Sequence, residues 1–116
     1  DMREVIRRSE GGYSPARLAI DVYVHRLRAG VAAMAAAMNG LDALVFTGGV
    51  GENAPVVRQR AADGLKFLGI EVDPHLNGAG SGDREIGAKG AAVRTLVVVA
   101  REDLQIAREV RRLLAS

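Results

Sequence analysis

The chain contains no cysteine and no tryptophan. Disulfides and thiolate metal sites are therefore excluded, and a reducing compartment such as the cytoplasm is expected. Aromatic residues are scarce: Tyr13, Tyr23, Phe46 and Phe67 make up 3% of 116 residues. Lysine is nearly missing as well, since Lys66 and Lys89 are the only ones among 16 basic residues. The remaining basic residues are arginines scattered among 14 acidic ones, for a net charge of +2. A nucleic-acid groove needs a denser basic stripe with stacking aromatics, so no nucleic-acid partner is expected. No apolar run reaches the roughly 20 residues of a membrane span, and the stretch from Ala29 to Leu41 is diluted with alanine and glycine. No apolar leader follows Asp1-Met2-Arg3, so neither a signal peptide nor a membrane partner is expected. His25 and His75 stand apart without ligand spacing and are expected at the surface.

What remains is an ordinary globular balance, 48% hydrophobic and 26% charged, enough for one domain or a piece of one. Residues 2–8 read as a short helix that begins as if in mid-domain, so a longer parent protein is expected. Ser14-Pro15 is a helix start, with a capping hydroxyl and a proline at the first helical position. The helix should run to about Met38, with Ile20, Tyr23, Val24, Leu27, Val31, Met34 and Met38 as its apolar stripe. From Ala29 onward it is apolar almost all round, which calls for cover on both sides or a partner. Asn39-Gly40 ends it, with Gly40 in the left-handed cap.

Asp42 to Phe46 is a short strand. Asn53 is expected to cap a helix carrying Val56, Val57, Ala61, Leu65 and Phe67, closed by Gly69. Ile70 to Val72 is a brief strand, Asp73 to Gly82 a polar loop, and Arg84 to Ile86 another short strand. Arg94 to Ala100 is the clearest strand. Glu102 to Leu114 is an amphipathic helix that buries Ile106, Ala107, Val110, Leu113 and Leu114. Helices between strands imply an α/β layer with a parallel or mixed sheet, whose ligands bind beyond the carboxyl ends of the strands.

Two such ends attract attention. After Phe46 comes Thr47-Gly48-Gly49-Val50-Gly51-Glu52-Asn53, a glycine loop feeding a helix. Gly49 and Gly51 would let backbone approach a ligand, and the following amides would point out of a helix N-terminus. A tight turn capped by Asn53 is the plainer alternative. Glu52 is either a ligand group or an acid placed near a helix start. After Val99 come Glu102 and Asp103. They suit Mg²⁺, directly or through its waters, and equally suit the positive end of a helix. The spacing Gly49-x-Gly51-x-x-Ala54, with Glu71 or Asp73 about twenty residues later, also fits a dinucleotide-binding fingerprint loosely.

Asp42 through Asn53, followed by Val57-Arg58, resembles the signature of the acetate kinases, short-chain acyl kinases of the actin-like and sugar-kinase ATPase superfamily. Asp1-Met2-Arg3 resembles that family's nucleotide-contacting Asp-x-Arg. Arg17 to Leu27 resembles the helix before the signature, Leu68 to Asp73 with Asn77 the segment after it, and Glu102 to Arg108 the terminal acidic helix. The resemblance covers essentially residues 1–116. It implies one fragment of the C-terminal, ribonuclease H-like nucleotide-binding domain, with a short mixed sheet, flanking helices and the N-terminal lobe absent.

It further implies that Asp1, Met2, Arg3, Gly49, Val50, Gly51, Glu52 and Asn53 contact ATP and that Glu102 serves Mg²⁺. The implied reaction is ATP + acetate ⇌ ADP + acetyl phosphate, with acetate or another short-chain acyl substrate held by the missing lobe and a homodimer as the assembly. The sequence departs from the family pattern in three places: Ala100-Arg101 replace the usual Thr-Asn, Asp103 replaces a glutamate, and Gly48 replaces an alanine. An arginine beside Glu102 is a ready partner for that carboxylate. The family's metal-binding asparagine, substrate-binding arginine, catalytic aspartate and main phosphate loop all precede anything present here. No catalytic residue is therefore expected within residues 1–116, and the segment alone should be inactive. A silent dimerisation module and a dinucleotide-binding domain are the alternative readings.

Overall fold

The structure, a computed structural model, describes residues 2–12, 14–100 and 110–115, and the side chains of all of these except Arg3 and Ser14. The architecture is α/β, as expected: a small mixed sheet with flanking helices. Helix α1 spans Met2–Glu10 and α2 spans Ser14–Ala37. In α1, Glu4 accepts hydrogen bonds from Arg7 and Arg8 across one helical turn. In α2 the buried line runs through Ala16, Ile20, Val24 and Ala35, with Leu27 and Val31 half-buried between them.

Part of the expected stripe is therefore corrected. Tyr23, Met34 and Met38 are 36%, 60% and 56% exposed, because each lies one position away from the line that meets the core. The methionines instead border an open groove of about 450 Å³, with Leu27, Gly30, Val31, Leu41, Leu44 and Val45. After α2, Asn39 takes the left-handed conformation at φ 59°, while the Gly40 amide donates to the Ala35 carbonyl at 2.9 Å.

Strand β1 is Ala43–Phe46, β2 is Arg84–Glu85 and β3 is Arg94–Val97. The sheet order is β1-β3-β2. β1 runs parallel to β3, with Ala43 opposite Arg94 and Phe46 opposite Val97. β2 is antiparallel, with Arg84 opposite Val97. The expected strand at Ile70 to Val72 is reduced to two isolated bridges, Ile70 with Val93 and Val72 with Gly87. β3 ends at Val97 rather than Ala100, although the Val98 amide still donates to the Phe46 carbonyl at 2.9 Å.

Helices α3 (Gly48–Asn53) and α4 (Pro55–Asp63) follow β1, then a 3-10 turn over Lys66–Leu68. Helix α5 (Pro74–Gly78) occupies a stretch expected to be loop. Its start is built like that of α2: the Asp73 carboxylate accepts from the amides of His75 (2.8 Å) and Leu76 (3.1 Å), and Pro74 is the first helical residue. Phe67 and Val56 are exposed, at 74% and 40%, because α4 has already ended before Phe67 and Val56 sits on its outer face. Residues 110–115 are helical; Leu113 is half-buried, but Leu114 is 38% exposed, another correction. Their carbonyl ends are held by Arg94, which donates to Leu113 O (2.9 Å) and Leu114 O (2.8 Å). Expectations for Ile106 and Ala107 lie outside the described residues.

Two buried clusters organise these elements. The larger joins Phe46, Leu65, Ile70, Ile86, Val93 and Val97 beneath the sheet. The smaller joins Ile20, Val24, Ala54 and Val57, with Met2, Val5, Ile6, Leu27 and Val50 packed against it. Each fully buried aliphatic side chain contributes roughly 1.5–3 kcal/mol. The smaller cluster is the one that positions the site, because it seats α1 and α3 on α2 and α4.

Candidate nucleotide site

Because β1 and β3 are parallel, their carboxyl ends open on the same side of the sheet. That is where the expected ligand loop lies, but it is not a loop. Gly48–Asn53 forms a six-residue helix immediately after Thr47. Three glycines make this a poor helix on propensity alone, so tertiary contacts must hold it. Thr47 occupies the N-cap position but its side chain makes no capping bond. Glu52 supplies the tie instead: one carboxylate oxygen, Oε2, accepts from the Gly48 amide and from the Ala100 amide, each at 2.9 Å. The acid at 52 thereby joins the exits of β1 and β3. A ligand contact by Glu52 would accompany this backbone role.

Asn53 is likewise reassigned. Its Nδ2 donates back to Gly49 O at 3.0 Å, within α3. The next helix starts at Pro55 with Ala54 before it and no side-chain cap. The reason is the intervening turn: Ala54 already closes α3 through its amide on Val50 O at 3.0 Å, leaving Asn53 too early to cap α4. The amides following Gly51 are thus inside or at the end of a short helix rather than at a helix start.

The glycines separate by role. Gly48 has φ +78°, a left-handed conformation that a side chain would strain. A Cβ on Gly51 would stand 3.2 Å from the Phe46 carbonyl carbon, so this glycine lets α3 lie flat on its own strand. Gly49 faces open space with nothing within 4 Å. Of the glycines expected to admit a ligand, Gly49 does so and Gly51 serves internal packing.

Behind α3 stands a side chain that sequence reasoning noted only as part of a signature. Arg58 is fully buried, at 0% exposure. It donates to Gly51 O (2.8 Å) and Glu52 O (3.0 Å) at the end of α3. It also donates to Asn77 Oδ1 (2.7 Å) and Asn77 O (2.9 Å) at the end of α5. Burial pulls its guanidinium below the usual arginine value, and the positive charge of Arg84 acts in the same direction. Asn77, 3% exposed, completes the arrangement by donating to Pro55 O at 2.8 Å. A signal for Arg58 was available: Val57, Arg58, Ala61 and Ala62 are the buried face of α4, and an arginine in that phase must find acceptors inside.

Between these elements lies a cavity of about 250 Å³ lined by Glu52, Asn53, Gly80, Ser81, Gly82, Arg84, Val97 and Val99. Arg84 reaches into this region; its Nη1 donates to Gly82 O at 3.0 Å, while its buried Nε has no hydrogen-bond partner. Asp83 accepts from the Val99 amide at 2.8 Å, which ties the loop after α5 to the exit of β3.

The structure brings together two expected parts of the site that are far apart in sequence. Met2, on α1, and Val50, on α3, pack against the same small cluster, and α1 touches α3 directly. Asp1, Glu102 and Asp103 lie outside the described residues. Among the described residues, no three acidic or histidine side chains are grouped as a metal site. Both histidines are exposed, as expected. The carboxylate that a dinucleotide site would need at position 73 is committed to capping α5. No helix among the described residues is long and apolar enough to cross a membrane.

Comparison with known proteins gives one consistent result. Residues 1–108 match the acetokinase family. The chain is 50% identical over 109 residues to an acetate kinase of Gloeobacter violaceus, covering 94% of this chain and 27% of that protein. It is 40% identical over 116 residues to an acetate kinase of Pseudothermotoga lettingae, covering all of this chain and 29% of that protein. Among solved structures, acetate kinase from Porphyromonas gingivalis superposes with a TM-score of 0.83 at 36% identity, over 98% of this chain and 29% of that one. A propionate kinase from Francisella tularensis superposes with a TM-score of 0.80 at 39% identity, over 94% of this chain and 28% of that one. The chain thus spans under a third of the length of these relatives.

Proposed function

The chain belongs to the acetokinase family, and from that premise we propose that it is the C-terminal, nucleotide-side portion of an acetate kinase. In the complete protein it would hold ATP or ADP while acetate and ATP exchange a phosphoryl group to give acetyl phosphate. The observation that carries this reading is the meeting of α1 and α3 on one cluster, through Met2 and Val50, beside the carboxyl ends of two parallel strands. That arrangement places the start of the chain and residues 49–53 at one ligand.

In this reading Asp1, Met2 and Arg3 contact the nucleotide from one side, and Gly49 through Asn53 line its adenosine end. The open space before Gly49 admits the nucleoside close to backbone. Glu102, following β3, would serve Mg²⁺, whose chemistry when bound is to neutralise charge on the phosphoryl oxygens. The acyl pocket and the catalytic residues lie in the rest of the parent protein. This accounts for the likeness of this segment to an acetate kinase and a propionate kinase alike. A cytoplasmic homodimer completes the proposal, with the exposed methionine face of α2 as available apolar surface.

Titration calorimetry on the complete protein tests it, with ADP plus Mg²⁺ against NAD. Heat on ADP addition and none with NAD is expected; NAD binding without an ADP response would sink the reading. Residues 1–116 alone should not turn over ATP with acetate. A coupled assay showing acetate-dependent turnover by that segment would overturn the placement of the catalytic groups elsewhere.

A further inference from the structure

Arg58 is buried completely, yet every acceptor it meets is neutral: Gly51 O, Glu52 O, Asn77 O and Asn77 Oδ1. A guanidinium without a carboxylate in the interior is a costly way to fill space, and an apolar side chain of similar size would pack there at lower cost. What an apolar side chain lacks is reach to two separate segments at once. Gly51 and Glu52 are the end of α3, and Glu52 with Asn53 forms one wall of the 250 Å³ cavity. Asn77 is at the end of α5, and Gly80, Ser81 and Gly82 just beyond it form the facing wall. Arg58 is thus the side chain that spans from the base of one wall to the base of the other.

We infer that Arg58 is a positioning residue that fixes the separation of these two walls and thereby sets adenine-nucleotide affinity. The inference rests on the nucleotide reading given above. The planar fork is the essential feature. Nη1 serves α3, while Nε and Nη2 serve Asn77, so the two segments are held at one spacing by one rigid group. Lysine keeps the charge but presents its donors from a single nitrogen and cannot reproduce that span. Asn77 acts as the receiving half, since its Nδ2 also grips Pro55 O at the start of α4. Holding the walls in place before ligand arrives lowers the ordering cost of binding.

The test uses Arg58→Lys and Asn77→Ala in the complete protein, with ADP calorimetry, steady-state kinetics and thermal midpoints recorded together. Arg58→Lys is expected to weaken ADP binding by about tenfold and to raise KM for ATP equally, with KM for acetate and kcat nearly unchanged. Asn77→Ala leaves Arg58 its carbonyl acceptors, so a smaller loss of about threefold is expected in the same direction. A merely structural role would lower the thermal midpoint and the yield of active protein while leaving KM for ATP where it was. That outcome overturns the inference. If Arg58→Lys does not fold, Asn77→Ala decides alone: unchanged ADP affinity refutes the idea, and weakened affinity with kcat retained supports it. Failure of the wild-type protein to bind ADP would instead bring down the functional reading beneath it.

Discussion

The two ends of the parallel strand pair are built on opposite plans. At the carboxyl end, side chains bond to backbone: Glu52 to the amides of Gly48 and Ala100, Asp83 to Val99, and Arg58 to the carbonyls of Gly51, Glu52 and Asn77. At the amino end, Met34, Met38, Leu41 and Leu44 line an apolar groove open to solvent. Directional bonds fix the relative placement of α3, α5 and the β3 exit, whereas apolar contact tolerates sliding and substitution. A fold that must present backbone to a ligand at one end alone has reason to concentrate its polar ties there.

The contrast is sharpest at Arg58 against Met38. Arg58→Met should destabilise the chain by about 3 kcal/mol or more, because buried carbonyls of three residues lose their donors. Met38→Gln, at a 56% exposed position, should stay within about 0.5 kcal/mol. Urea denaturation of the two variants decides; equal losses would erase the distinction between the ends.

A second pair divides the glycines. Gly51→Val should cost about 1–3 kcal/mol, since its Cβ would meet the Phe46 backbone at 3.2 Å. Gly49→Val faces open space and should cost under about 1 kcal/mol while weakening ADP binding in the complete protein. Denaturation midpoints and calorimetry on both variants check this. A Gly49→Val protein that binds ADP normally would remove position 49 from the ligand site.

The smallest effect lies on the sheet edge. The Arg94 guanidinium donates to Glu85 at 2.7 Å and holds its carboxyl below the ordinary value of 4.5. A depressed carboxyl stabilises the fold above its unfolded value, and that contribution is lost as pH falls through the depressed folded value. Stability should therefore decline below about pH 4.5. The pair is substantially exposed, so the decline it causes should be about 1 kcal/mol at most. Thermal midpoints between pH 3 and 6 should fall less steeply for Glu85→Gln than for the parent chain.

Much of this was legible from local rules. Ser14-Pro15 marked α2, Asp42 to Phe46 marked β1, and the valine run marked β3. The glycine stretch marked the place of the site but not its form: helix α3 depends on Glu52 reaching an amide 48 residues away, which no local pattern contains. Asp73-Pro74 carried the same start signal as Ser14-Pro15, and α5 was legible had that rule been applied to a polar segment. Arg58 was half visible. Its phase on α4 announced burial, but its partners at Gly51 and Asn77 come from two other elements and emerge only with the tertiary structure. The methionines of α2 show the reverse error, where apolar character suggested burial that the core line through Ile20, Val24 and Ala35 does not provide.

The sheet order has a consequence for handling the chain in solution. β2 covers one side of β3 with two residues, while β1 has β3 as its sole ladder partner among the described residues. The outer side of β1 is a template of unused amide and carbonyl groups, flanked by the greasy groove of α2. Prepared alone at high concentration, residues 1–116 are therefore expected to behave as a nucleus for strand-by-strand association, a colloidal problem that light scattering against dilution would register before any assay of ligand binding did.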